Sequence, residues 1–127
     1  MSRTVVIRIG PAEQARRELR ESLVAMLAGE RVPRRREIWF PSLQHLASVL
    51  TERRLELLRL IHRRRPRSVA QLARLAKRGA RAVEGDLRVL AEAGLVKVVA
   101  TGTTKRPVAG YDRIRLAGNI PIARAAA

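Results

Sequence analysis

At 127 residues the chain has room for one domain with a modest extension, burying roughly two-thirds of its unfolded surface, so two enzyme-sized domains are excluded. Its 27 basic residues against 11 acidic ones leave a net charge of +16. That balance repels itself unless an anion sits nearby, and nucleic acid is the obvious partner. Cysteine is absent, which removes disulfides, thiolate catalysis and cysteine-based zinc sites and fits a cytoplasmic address.

Only Lys77, Lys97 and Lys105 are lysines; arginine, with its planar phosphate-matching fork, carries the rest of the positive charge. A GC-rich genome would favour Arg and Ala for a blander reason. No stretch approaches the ~18 to 20 consecutive apolar residues of a membrane span, so no membrane partner is expected. Glu13, Glu18 and Glu21 argue against an organelle presequence.

In chain order, residues 4–9 (TVVIRI) are β-branched and end at Gly10-Pro11, a short strand followed by a breaker. From residue 12 the period changes: Leu19, Leu23, Met26 and Leu27 make the apolar stripe of an amphipathic helix that Gly29 ends. Residues 31–36 (RVPRRR) read as a basic linker and 37–40 (EIWF) as a second strand stopped by Pro41. The first 36 residues cannot close a core alone, and are read as a strand–helix extension whose stripe Leu19, Leu23, Met26 and Leu27 forms a homodimer interface, with packing inside the same chain as the competing reading.

Residues 42–50 are helical with Ser42 as N-cap, and a fresh helix starts at Thr51 and ends in Arg63-Arg64-Arg65 before Pro66. Ser68-Val69-Ala70-Gln71 fits a capping box opening a helix of about two turns. Lys77-Arg78-Gly79 is a tight turn, and a helix over 80–93 follows with Val83, Leu87 and Leu90 inward and Gly94 beyond its end. Residues 95–116 then alternate as a hairpin with the polar tip 101–107, and 117–127 are a loosely ordered tail.

Helix, short capped helix, three-residue turn, longer helix and basic hairpin is the order of a winged helix-turn-helix. The expected fold is therefore α+β and mainly helical, a winged helix-turn-helix over 37–116 behind the 1–36 extension. In that arrangement a short helix braces the next, whose exposed face enters a major groove of double-stranded DNA. Advancing about 100° per residue from Val83 puts Arg81, Gly85 and Arg88 on the outer side, with Lys77 and Arg78 at the leading end. Arg78, Arg81 and Arg88 are candidate base readers or phosphate clamps; solvated arginines are the bland alternative. Asp86 should turn aside from phosphate, and Gly85 either permits close approach or is a tolerated defect. Lys105 and Arg106 suit a wing that positions rather than specifies. Ser68 and Gln71 either add phosphate contacts or only cap. Arg63, Arg64, Arg65 and Arg67 form a phosphate clamp or a solvated loop.

Residues 51–98 (TERRLELLRLIHRRRPRSVAQLARLAKRGARAVEGDLRVLAEAGLVKV), with Phe40-Pro41-Ser42-Leu43 before them and Tyr111-Asp112-Arg113-Ile114-Arg115 after, resemble the small prokaryotic winged-helix predicted transcriptional regulators, some of them proposed antitoxins. The resemblance covers about 85 residues and implies a DNA-binding repressor, with a toxin protein as a possible partner. The departure is Glu84-Gly85, where relatives often carry a basic or histidine pair, which shifts weight to Arg78, Arg81 and Arg88.

An enzyme is not expected: His45 and His62 have no evident carboxylate or thiol partner and read as packing or surface residues. No phosphate-cradling glycine motif occurs, and neither a metal nor a cofactor is expected. Trp39, Phe40 and Tyr111 are core or hairpin anchors, too few for base stacking along RNA. The competing function is an antitoxin-type or scaffold module whose winged helix binds protein, with sequence-blind nucleic-acid affinity alone.

Overall fold

A computed structural model describes residues 3–32, 36–120 and 122. Among them the elements are β1 (Thr4–Ile9), α1 (Ala12–Leu27), β2 (Arg36–Phe40), α2 (Leu43–Val49), α3 (Glu52–Arg64), α4 (Val69–Ala76), α5 (Ala80–Glu92), β3 (Lys97–Thr101), β4 (Thr104–Val108) and β5 (Arg113–Ala117). The protein is α+β, as expected. It divides into two compact units, residues 1–3 with 47–113 and residues 4–46 with 114–127.

In the first unit, α3 begins where the Thr51 hydroxyl accepts the Arg54 N–H at 3.3 Å and ends at Arg65, whose φ of 47° is left-handed. Basic residues in its last turn complement the helix dipole. The box at Ser68 forms with one change: the Ser68 hydroxyl accepts the Gln71 N–H at 3.0 Å, but the Gln71 side chain reaches past Ser68 to the N–H of Arg67 at 2.7 Å. α4 ends with Lys77 left-handed at φ 56°, its N–H and that of Arg78 returning to the carbonyls of Arg74 and Ala73. The turn thus takes its strained angle at a lysine, while Gly79 stays at φ −65° and serves as the α5 N-cap. At the far end of α5, Gly94 (φ 82°) lets the Leu95 N–H reach the Leu90 carbonyl at 2.9 Å, the closure that favours glycine past a helix end.

The core of this unit comes from the apolar stripes: Leu57, Leu58, Leu60 and Ile61 of α3, Leu72 of α4, and Val83, Leu87 and Leu90 of α5 are buried, with Leu95 and Val96 beyond. Burying a Leu or Val side chain is worth ~1.5–3 kcal/mol. Tyr111 closes the core, its hydroxyl donating to the Leu95 carbonyl at 2.5 Å.

The expected hairpin over 95–116 is corrected. β3 pairs antiparallel with β4 from Lys97↔Val108 to Thr101↔Thr104, leaving a two-residue turn in which Gly102 (φ 63°) supplies the positive angle of a primed turn. The tip is therefore Gly102-Thr103, and Lys105, Arg106 and Pro107 lie within β4. Residues 113–117 leave the hairpin and join a second sheet of order β2-β1-β5.

In that sheet, β1 pairs parallel with β2, Val5↔Arg36 through Ile9↔Phe40, with α1 as the crossover. Arg113 donates to the Arg3 carbonyl at the start of β5, and Gly118 beyond its end lies against the backbone of Ile9, so β5 also runs with β1. Val5, Ile7 and Phe40 are buried. Trp39 is half-buried under the Arg8 guanidinium, 4.4 Å from the ring centroid, and Arg8 is ion-paired with Glu18 of α1. A Cβ at Gly10 would come within 2.9 Å of the Trp39 ring, so this glycine marks a close approach as well as a break. Ser42 caps α2, its hydroxyl accepting the His45 N–H at 3.0 Å.

The helix read over 12–28 ends at Leu27 and buries none of its residues. Leu19, Leu23, Met26 and Leu27 are 60%, 50%, 59% and 89% exposed, so packing of this stripe inside the same chain is not seen among the described residues. Of the expected linker 31–36, residues 33–35 lie outside the described residues. Of the tail 117–127, residue 117 ends β5 and residues 121 and 123–127 lie outside them. No helix among the described residues is long and apolar enough to cross a membrane.

Candidate nucleic-acid interface

α5 is held by three buried apolar side chains on one face and by an ion-paired cluster at its flank. Asp86, 16% exposed, receives Arg54 Nε at 3.1 Å on one oxygen and approaches Arg78 Nη2 at 2.7 Å with the other. Arg54 also donates to the carbonyls of Ser48 and Val49 at 2.7 and 3.0 Å, so a single guanidinium ties the end of α2 to the start of α3 and the middle of α5. A half-satisfied cluster of this kind is costly and a connected one fixes orientation. Asp86 thus turns aside, as its charge required, and Arg54 is the residue the sequence did not disclose.

Arg78 differs from its expected place. Its side chain is 22% exposed and committed to Asp86, so it belongs to the cluster bracing α5 rather than to a free outer face. Arg81, Gly85 and Arg88 are exposed, and a Cβ on Gly85 would meet nothing within 4 Å. Lys77 is exposed at the preceding turn. Ser68 and Gln71 are occupied in capping.

Beside α5 lies a groove of about 650 Å³ walled by the first turn of α4, by Glu84, Leu87 and Arg88 of α5, and by Val98, Thr103, Thr104 and Lys105 of the hairpin. Arg88 and Lys105 are therefore brought to one groove, with Ser68 at its edge and Glu84 as its carboxylate. Arg106 is not part of it. Adjacent strand residues face opposite ways, and Arg106 lines a separate hollow with Arg3, His62 and Arg65. The expected Lys105–Arg106 contact is thus split between two faces of β4.

Chemically, the α5 side offers exposed arginines at Arg81 and Arg88, about two turns apart on one helical face, a glycine between them, and an ammonium on the hairpin. Such a surface can donate to phosphates or to base edges. Among the described residues no group of His, Asp and Glu could hold a metal ion. His45 packs against the Phe40 ring at 5.6 Å between centroids. No curated protein compared with the chain matches it. One family model matches residues 49–116, the stretch from the end of α2 into β5, and by this the chain belongs to the HVO_A0114 family.

Proposed function

We propose that residues 51–108 work as a winged helix-turn-helix: α4 and α5 are the helix pair, β3 and β4 the wing, and the protein is a double-stranded DNA-binding transcriptional regulator acting as a repressor. The observation that carries this reading is the exposed Arg81–Gly85–Arg88 face of α5, braced from behind by the Arg54–Asp86–Arg78 cluster and flanked by Lys105 across one groove. Arg81 and Arg88 read or clamp, Lys105 holds phosphate, and the charge of +16 supplies long-range attraction.

The protein acts as a homodimer in this reading. Leu19, Leu23 and Leu27 stand at i, i+4 and i+8 on α1, all exposed, a ridge that interdigitates with its own copy across a two-fold axis. Two copies of α5 then address two half-sites. The same exposed ridge favours a second reading, an antitoxin-type module whose α1 face meets a protein partner such as a toxin.

Titrating the protein with duplexes from its own upstream region and with scrambled duplexes, over a range of salt, separates the two. A regulator gives a steep salt slope and a preference of at least ~10³ for one site. Equal, weak binding to all duplexes refutes the first reading and leaves the second.

A further inference from the structure

The hollow lined by Arg106 shares no lining residue with the groove beside α5. It measures about 360 Å³, at the small end of ligand pockets, and all its lining residues belong to the 47–113 unit with Arg3. Arg3, His62, Arg65 and Arg106 are among its lining residues. Its floor is apolar, made by the buried Ile61, Pro107 and Tyr111.

Among the described residues none of those four side chains has an ion-pair partner. The rim's one acid, Asp112, is engaged through Oδ1 by the Arg3 backbone N–H at 3.0 Å. The framework is fixed: Arg65 caps α3 in a left-handed conformation with its N–H on the Ile61 carbonyl, and Tyr111 is tied to Leu95. Guanidiniums gathered around a concavity repel one another unless an anion bridges them. Arg3, Arg65 and Arg106 are exposed and line one hollow with apolar residues beside them, a combination that suits an anion that has a carbon body.

We propose that this hollow binds a small organic anion carrying more than one negative charge, as phosphate or as paired carboxylates. The guanidinium forks take the anionic groups, and the Ile61–Pro107–Tyr111 floor takes the carbon skeleton. The DNA backbone is the less fitting source, because Arg106 projects from the strand face opposite Lys105 and a phosphodiester brings a single charge to three guanidiniums. The site is independent of what α5 does.

Calorimetric titration of the full-length, DNA-free protein with pyrophosphate and with citrate, at physiological salt, tests it. Arg106→Gln and Arg65→Asn are the variants, asparagine being tolerant of the left-handed backbone, and Arg88→Gln on the other surface is the control. Saturable one-to-one binding of either probe, weakened at least ~10-fold by each hollow variant and unchanged by Arg88→Gln, supports the site. Absence of saturable binding, or equal weakening by Arg88→Gln, overturns it. Loss of random-duplex affinity in Arg106→Gln as large as in Lys105→Gln assigns the anion to the DNA backbone and overturns it as well.

Discussion

A Cβ added at Gly85 meets nothing within 4 Å, and glycine inside a helix costs about 1 kcal/mol relative to alanine. Gly85→Ala should therefore raise the stability of the free protein by about 1 kcal/mol in urea denaturation. If DNA lies against the Arg81–Arg88 face, the same methyl group comes between helix and groove, and operator affinity should fall while stability rises. A variant both more stable and equally tight in binding would make Gly85 a plain defect. Asp86 is the opposite kind of residue. Removing it takes the carboxylate from two guanidiniums that are 18% and 22% exposed, of which Arg54 keeps its carbonyl acceptors, and Asp86→Ala should cost about 2–3 kcal/mol, with Asp86→Asn recovering part by keeping one acceptor. A loss under about 0.5 kcal/mol would mean the cluster does not hold α5. The local signals at this scale were legible in the sequence: Ser42 and Ser68 each cap a helix where short-range chemistry said they would, and the helix placed from Thr51 starts there with Thr51 as its cap. The Arg54–Asp86 pair was not, because 32 residues separate the partners and no local pattern records a contact that only folding creates.

Between elements, the order of α3, α4 and α5 followed from apolar spacing and caps, since a helix stripe is a property of its own residues. The strands were harder. Alternation says that a segment is extended and not with which strand it pairs; residues 113–117 have the pattern of a hairpin arm, yet they pair with β1, more than a hundred residues away in sequence. The same shortfall placed Lys105 and Arg106 together, when the tight Gly102-Thr103 turn sets them on alternate faces of β4. This gives a prediction the undivided hairpin would not. Lys105→Ala should weaken binding to all duplexes alike, by about 0.5–1 kcal/mol and with a salt slope shallower by about one. Arg106→Ala should leave duplex affinity within about twofold. Filter binding at several salt concentrations checks both, and equal losses would return the two residues to one surface.

For the molecule as a whole, the absence of any buried residue on α1 is the feature most in need of a partner. Five large apolar side chains at half exposure or more on one helix, Leu19, Leu23, Val24, Met26 and Leu27, are seldom left to water. Leu23→Glu, at the centre of the ridge, should convert a dimer to a folded monomer in sedimentation equilibrium and weaken operator binding by at least ~100-fold through loss of the linked half-site. A wild-type chain that sediments as a monomer at high micromolar concentration would move the ridge to a different protein partner. The net charge and the arginine content were plain from composition and pointed to a polyanion. Composition does not say which face meets it, because 24 arginines cannot be sorted into bracing, reading and solvated ones until the fold divides them.

That division is tested most directly by Arg81→Ala assayed against the operator and all its single-base variants. Discrimination of about 1–3 kcal/mol should disappear at one base position in each half-site while the other positions keep theirs. A uniform loss across every sequence, or no loss at all, would contradict the claim that the outer face of α5 reads the major groove.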